Sequence, residues 1–484
     1  MINRLWVSSV NCCAHGGCQI GKTDFILNDK IFPLSGFNFY ILFIILSTLF
    51  IEAHPKGSGG AETVVKTSEI IRGNIPEPDT FDMFHNRRVF IETYGCRFNF
   101  GDTAKLVEVL KRKGSTIVDS AVEADAIIIN SCTVVGTTER RMLRRLSMYR
   151  EYDLYVTGCM PAVQREAIFA VCTPTIILSE TIREAYRSIG TVAGKGVAIV
   201  QTAQGCSGRC TYCLTRFARG PLKSFTEKEI LGEILSHAHA GTSEIQITAQ
   251  DMSCWGQDIG KTLPFLLKRI DDLPGEVMIR VGMMNPATIK GILDDLIDAF
   301  ASDHIFKFVH IPVQSGSDDI LDRMARGYSV ADFEEIITAF RKRYPDITLA
   351  TDMIVGFPGE TQEEFSQSLD LIERVRPNKV NITRFSRRPF TPLFTVKDCP
   401  EWIKKDRSRI MNTLAEKVYA SINAGFLEKE VSFLVTETIK EGSVMARSPN
   451  YLGIVINENL PVGYEGRAIL KKERKYFFIG KQVI

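Results

Sequence analysis

From Val89 onward the chain repeats one pattern: a short apolar run, a turn, then a stretch with apolar residues at helical spacing. VFIETYGC is an apolar run that ends in Gly95-Cys96, and Asp102 to Lys113 has the periodicity of an amphipathic helix. AIIINSC reads as a buried strand ending in Cys132, Gly136 to Arg150 as a basic helix, and LYVTGC as a third strand ending in Cys159, followed by the helical PAVQREAIFAV. Strands alternating with helices predict βαβ units and an open parallel α/β sheet. The three cysteines all fall just past strand C-termini, and those ends share the edge of a parallel sheet where ligands bind. Thiols 36 and 27 residues apart are therefore predicted to converge. One such thiol is ordinary, because free cysteine is often buried as a small apolar residue. Three on three strands point to a shared metal or iron–sulfur site.

The alternation continues. Gly196–Ala203 reads as a strand, followed by EIQIT (244–248), VMIRV (277–281), FKFVHI (306–311), ITLATDMIV (347–355) and KVNITRF (379–385). Helical stretches at Lys228–Ala238, Thr288–Phe300, Val330–Lys342 and Thr361–Val375 separate them. Such units predict a partial, open (β/α)6 TIM-like barrel with its chemistry at the strand C-termini. Gln250 and Asp251, Asn285 and Pro286, Gln314, Ser315 and Gly316, and Gly356, Pro358 and Gly359 lie at those ends. A long helix, Glu401 to Asn423, precedes VSFLVTET, YLGIVIN and GRAILKKERKYFFIGKQVI, whose short apolar segments and Gly/Asn turns predict a small β-barrel. The expected organisation is an atypical extension at 1–88, an α/β domain at 89–190, the central barrel at 191–400, a connecting helix at 401–425 and the C-terminal barrel at 426–484.

The first 88 residues break the pattern. Phe37 to Ile51 is an apolar run of 15 residues, and Ile31 to Ile51 spans 21, against the roughly 20 that a membrane-spanning helix needs. Pro33, Ser35, Gly36 and Asn38 make it a marginal span, and an apolar run that starts after Asp24 and Asp29 fits a signal peptide poorly. The favoured reading leaves this segment outside the working protein, with Met83, six residues before the first strand, as a natural start. A membrane anchor is the competing reading.

Composition adds bounds. The 484 residues are 45% hydrophobic and 24% charged with a net charge of +2. That is an ordinary multidomain globular chain, and it excludes a disordered chain, a collagen or a polytopic membrane protein. Any nucleic-acid contact must come from a local patch. Residues 467–484 hold six Lys/Arg against one Glu, interleaved with Tyr476, Phe477 and Phe478. Lys471, Lys472, Arg474 and Lys475, with Arg387 and Arg388 of the connector FSRRPFTP, are the candidate RNA contacts. A solvated strand face over an aromatic core is the competing reading there. For Arg140, Arg141, Arg144 and Arg145 a solvated helix face is the commoner explanation.

Twelve cysteines are too sparse for a disulfide scaffold. Cys206, Cys210 and Cys213 fall within eight residues of the loop QGCSGRCTYC. Three thiolates cannot close a tetrahedral zinc shell, and no second pair lies nearby. They can hold a [4Fe–4S] cluster and leave one iron open. Cys172, Cys254 and Cys399 read as core or incidental thiols.

This CxxxCxxC, with Tyr212 before its last cysteine, resembles the signature of radical S-adenosylmethionine (SAM) enzymes. Combined with Cys96, Cys132 and Cys159, the chain from about residue 89 to 484 resembles the methylthiotransferases, which join a three-cysteine domain, a radical-SAM partial barrel and a TRAM domain. The resemblance implies two [4Fe–4S] clusters and SAM. One cluster, on Cys206, Cys210 and Cys213, would cleave SAM reductively to a 5′-deoxyadenosyl radical; the other, on Cys96, Cys132 and Cys159, would supply the sulfur. Gly356, Pro358 and Gly359 of GFPGE would lie near the SAM adenine and Gln314 and Ser315 beside the SAM pocket, with Gln250, Asp251 and Asn285 as further cofactor-binding candidates. FSRRPFTP resembles the family's FSxRPGTP, with Phe390 where glycine is usual, and RSPNY (447–451) resembles a segment the family also shows.

CTYCLTRFARGPLKSF and TAQDMSCWGQD resemble the archaeal and eukaryotic subgroup that acts on N6-threonylcarbamoyladenosine-37 of tRNA. Ala218, Arg219, Gly220, Leu222 and Ser224 carry most of that weight, while Cys254 and Trp255 depart from the subgroup. The implied partners are the anticodon loop of ANN-decoding tRNA, a reducing electron donor and a sulfur donor, in the cytoplasm, with no obligatory protein partner inferred. The alternatives are isopentenyladenosine-37 or a ribosomal-protein aspartate as substrate, another radical-SAM reaction on RNA, or a non-catalytic, zinc-stapled RNA-binding protein.

Overall fold

A computed structural model describes residues 24–27, 30–33, 78–190, 196–275 and 277–483. Strands β1 (Asp24–Leu27) and β2 (Lys30–Pro33) pair antiparallel as a hairpin in a unit of their own. The rest of the apolar segment 31–51 lies outside the described residues. Among those described, no helix is long and apolar enough to cross a membrane. The described chain resumes at 78–84, a 3-10 turn that contains Met83. Phe81 and Phe84 of that turn are 1% and 0% exposed, packed beneath the first sheet with Val89 and Leu106. The folded unit thus includes a buried residue upstream of Met83.

The first sheet is fully parallel, with strand order β4-β3-β5-β6-β7. Its strands are β3 (Arg88–Thr93), β4 (Thr116–Val118), β5 (Ala126–Ser131), β6 (Leu154–Gly158) and β7 (Thr175–Ile176). Every residue of β5 is buried, because alternate side chains feed opposite faces. Ala126 and Ile128 meet α1 (Arg97–Arg112) and the helix Ser179–Ile189. Ile127 and Ile129 meet Met142 and Leu146 of α2 (Gly136–Met148).

Six parallel strands form the central barrel in two halves. β8 (Gly196–Gln201), β11 (Thr242–Thr248) and β12 (Met278–Val281) make one; β13 (Phe308–His310), β14 (Thr348–Val355) and β15 (Lys379–Arg384) make the other. The short β9 (Ala203–Gln204) and β10 (Lys223–Ser224) pair beside them. A bridge at Ile279–Ile305 joins the halves. Helix α1 packs beside β8: a side chain at Gly101 would sit 3.1 Å from Ile199 and 3.2 Å from Gln201. The first domain thereby lies against the barrel's first strand.

The C-terminal strands β16 (Glu430–Lys440), β17 (Ser443–Arg447), β18 (Gly453–Ile456), β19 (Glu465–Glu473) and β20 (Phe478–Val483) close into a barrel of order β16-β17-β18-β20-β19. It docks on the strand N-termini, opposite the cysteine edge. Lys307 N–H donates to Pro449 O (2.8 Å), Thr348 Oγ1 to Asn450 O (2.6 Å) and Tyr451 Oη to Glu244 Oε1 (2.6 Å). The RSPNY segment is therefore a docking peg in the barrel floor.

Candidate active site

Cys96 caps the start of α1, Cys132 follows β5 and Cys159 follows β6. Cys96 is exposed, while Cys132 and Cys159 are buried. Close backbone approach sets this edge. Gly158 has φ +90°, and a Cβ there would lie 2.3 Å from Ser131 O, so only glycine lets β6 turn beside β5. Asn99 ties the loops together: its Nδ2 donates to Tyr94 O (2.9 Å) and Ser131 O (2.8 Å). Its Oδ1 lies 3.8 Å from both Cys96 Sγ and Cys159 Sγ. Cys132 lies on the same edge, its Sγ 3.1 Å from where a Cβ at Gly95 would sit.

The second triad sits on the loop after β9. Cys206 Sγ accepts from Gly208 N–H (3.3 Å) and Cys213 Sγ from Thr215 N–H (3.4 Å). Arg326 Nη1 donates to Cys210 Sγ (3.1 Å). Amide and guanidinium donors aimed at sulfur are what anionic thiolates require. Burial pushes Cys132 and Cys206 up to about 12, so bare thiols here keep their protons until a metal replaces them. Among the described residues, no three His, Cys, Asp or Glu side chains close around a single metal ion. A cubane holds its thiolates on separate irons, farther apart than thiolates that share one zinc. The donor set and its hydrogen bonds fit clusters.

Arg219 joins the two triads. It ends the helix α3 (Thr215–Arg219), which starts two residues past Cys213. Its Nε donates to Cys159 Sγ (3.2 Å), Nη1 to Asp102 Oδ2 (2.8 Å) and Ser179 Oγ (3.1 Å), and Nη2 to Asn99 Oδ1 (2.9 Å). Burial alone would lower its pKa, but Cys159 and Asp102 beside it raise it. The sequence marks Arg219 only as part of a motif; its partners lie 40 to 120 residues away in the chain. Arg326 is a further residue of this site. It is buried, with Tyr328 Oη (2.9 Å), Asn285 Oδ1 (3.4 Å) and Pro312 O (3.4 Å) as further acceptors. No local pattern marks it.

The other candidate residues ring the same edge. Gln250 Oε1 accepts from Gly205 N–H (2.6 Å) and steadies the cysteine loop. Asp251 is buried, and its carboxylate accepts from Ser253 Oγ (2.7 Å), Thr288 Oγ1 (2.9 Å) and Asn285 N–H (3.2 Å). Protein donors occupy it, which makes it a positioning residue for Asn285. Gln314 adopts φ +76°, and Ser315 is buried against Ser368 (3.4 Å). Gly356 (φ +71°) lies under Lys404 of α4 (Glu401–Ala424), where a Cβ would come within 2.2 Å of Cγ. Pro358 O accepts from Arg323 Nη1 (3.2 Å), and a Cβ at Gly359 would come within 2.9 Å of the same atom.

Arg388 requires a correction. It is 4% exposed and pairs with Glu139 of α2, so its guanidinium holds the connector on the first domain and is not free for phosphate. Lys471 and Lys475 pair with Glu428 and Glu416 (both 2.6 Å); Arg387, Lys472 and Arg474 are exposed. Cys172 and Cys254 are buried, and Cys254 Sγ donates to Asp251 O (3.1 Å).

Residues 200–372 match the Radical SAM superfamily, and residues 88–178 match Uncharacterized protein family UPF0004. A relative from Pyrococcus abyssi is 37% identical over 81% of this chain and 99% of its own length. One from Archaeoglobus fulgidus is 39% identical over 76% of this chain and 92% of its own. A human relative is 28% identical over 82% of this chain and 74% of its own. All three bear names that give threonylcarbamoyladenosine tRNA methylthiotransferase. With radical-SAM and three-cysteine domains, a closed C-terminal barrel and relatives aligned over most of its length, the chain belongs to the radical SAM methylthiotransferase family of the threonylcarbamoyladenosine type.

Proposed function

We propose that this chain converts N6-threonylcarbamoyladenosine at position 37 of tRNA to its 2-methylthio derivative. One observation carries most of the reading. Arg219, six residues past Cys213, donates to Cys159 Sγ, so a helix rising about 7.5 Å leads from one triad to the other. Neighbouring thiol sites suit a reaction in which one activates the substrate carbon and the other delivers sulfur to it.

Cys206, Cys210 and Cys213 would hold one [4Fe–4S] cluster and Cys96, Cys132 and Cys159 a second. When bound, the first with SAM supplies a reductively generated carbon radical and the second supplies sulfur. The protein's own part is positioning and exclusion of water. Arg326 faces Cys210 and Asn285, and its partners include no carboxylate; it suits the SAM carboxylate. Asn285, Gln314 and Ser315 shape the cofactor pocket, with Asp251 and Gln250 holding its walls. Gly356, Pro358 and Gly359 form the turn for the adenine, clamped from outside by Arg407, which donates to Glu360 Oε2 (2.5 Å).

Arg387, at the cysteine edge, suits the phosphates of an anticodon loop in ANN-decoding tRNA, and Lys472 and Arg474, on the barrel at the opposite end, suit phosphates farther along the same tRNA. The pairs at Lys471 and Lys475 are exposed, worth about 0–1 kcal/mol, so phosphate can displace them. An electron donor and a sulfur donor complete the reaction in a reducing cytoplasm.

Mass spectrometry of nucleosides from bulk tRNA, with and without this gene in its own host, tests the reading. Loss of the 2-methylthio form with accumulation of threonylcarbamoyladenosine is expected. Unchanged tRNA would reject this substrate and redirect the search to the ribosomal protein.

A further inference from the structure

Two exposed aromatic rings meet beside the cysteine loop. Phe217, in the middle of α3 and four residues past Cys213, is 49% exposed, and Phe390, in the connector after β15, is 64% exposed. Their ring centroids are 6.2 Å apart at an interplanar angle of 33°.

Phe390 is out of place by every local rule. Its φ is +64°, in the left-handed region that bulky residues rarely adopt. The FSxRPGTP segment that the connector resembles has glycine there. Burial does not compensate, since most of the ring faces solvent. The turn that displays it is nevertheless fixed: Thr391 Oγ1 donates to Arg388 O (2.7 Å), and Arg388 is locked to Glu139. A rigid, strained mount for an exposed ring suits a surface shaped for something outside the fold. The charges beside it indicate what. Arg216, next in sequence to Phe217, and Arg387, three residues before Phe390, are both exposed, and Arg387 lies 3.9 Å from Asp398. Rings flanked by guanidinium groups match unpaired bases on a phosphate backbone.

We propose that Phe217 and Phe390 form a stacking platform for an unpaired base next to the target nucleotide, with Arg216 and Arg387 on the flanking phosphates. This rests on the tRNA reading above.

The test uses the full chain and an anticodon stem-loop carrying 2-aminopurine beside position 37. Binding to the wild type should quench the fluorescence. Phe217→Ala should lose the quench and weaken affinity roughly ten-fold, and Phe217→Tyr should keep both. Phe390→Gly should also weaken binding, yet melt no lower than wild type, because glycine accepts this φ without steric cost. Unchanged affinity and quench in Phe217→Ala and Phe390→Gly would overturn the platform. So would a Phe390→Gly protein that melts lower but binds normally, which would make the ring a packing residue. A wild type that ignores the stem-loop but binds a ribosomal-protein peptide would overturn the tRNA reading, and the platform with it.

Discussion

The two cysteine triads are built by opposite routes. Cys206, Cys210 and Cys213 share one loop, and backbone amides two residues on from Cys206 and Cys213 meet those sulfurs. Their geometry is local. Cys96, Cys132 and Cys159 come from three βα units and meet only because β3, β5 and β6 lie side by side in a parallel sheet. Their geometry depends on the whole domain, on Gly158 and on Asn99. A site made by spacing tolerates damage elsewhere; a site made by topology inherits every weakness of its sheet. Arg219 is where the two meet.

The sharpest break in this comparison separates the chemistries. Replacing Cys206, Cys210 and Cys213 by alanine should abolish SAM cleavage altogether, read as 5′-deoxyadenosine by liquid chromatography. Replacing Cys96, Cys132 and Cys159 should spare cleavage and stop methylthio product. Product from a Cys96→Ala protein would break the assignment of the second site.

Next in size is the joint. Arg219→Met leaves Asp102, 0% exposed, without its cation. Loss of one partner of a buried pair costs about 3–5 kcal/mol, which a denaturant titration would show as a lower midpoint. A loss under about 1 kcal/mol would mean that the joint is not structural. The upstream turn bears on the topological site alone. A chain beginning at Met83 forfeits Phe81, and removal of a buried phenylalanine costs roughly 3–5 kcal/mol. That chain should melt well below one beginning before residue 78.

The smallest expected effect lies at the interface behind both sites, where Lys105 of α1 meets Glu233 (3.0 Å). Burial, with Lys105 nearby, pushes His237 down to about 4, against about 6.5 in an unfolded chain. As pH falls through 6.5 the unfolded chain takes a proton and the folded chain does not. This contribution is therefore full above pH 6.5, is lost progressively toward pH 4 and is gone below. His237→Gln should flatten the urea midpoint across that window, and an unchanged slope would place the effect elsewhere.

Much of this was legible in the sequence. The apolar runs mark the major strands because parallel strands are buried on both faces, and the strand-end cysteines follow from that. Helix starts were less legible. The helix expected from Asp102 begins at Arg97, because Cys96 occupies the cap position and offers no Ser, Thr or Asp signal. Thr288–Phe300 breaks around Gly291 into two short helices and a 3-10 turn. What the sequence hid are residues defined by distant partners. Arg219 and Asp102 are 117 positions apart, and Tyr451 reaches Glu244 across 207. Arg388 reads as a free cation in the sequence because its partner, Glu139, lies 249 positions away.

The central claim is that two separately built triads each hold a cluster, and iron counting tests it most directly. Iron and acid-labile sulfide should be measured on anaerobically reconstituted wild type and on each triple-alanine protein. About eight irons per chain in wild type and about four in either variant is the predicted result. Four in wild type, lost entirely when Cys206, Cys210 and Cys213 are replaced and unchanged when Cys96, Cys132 and Cys159 are, would contradict it.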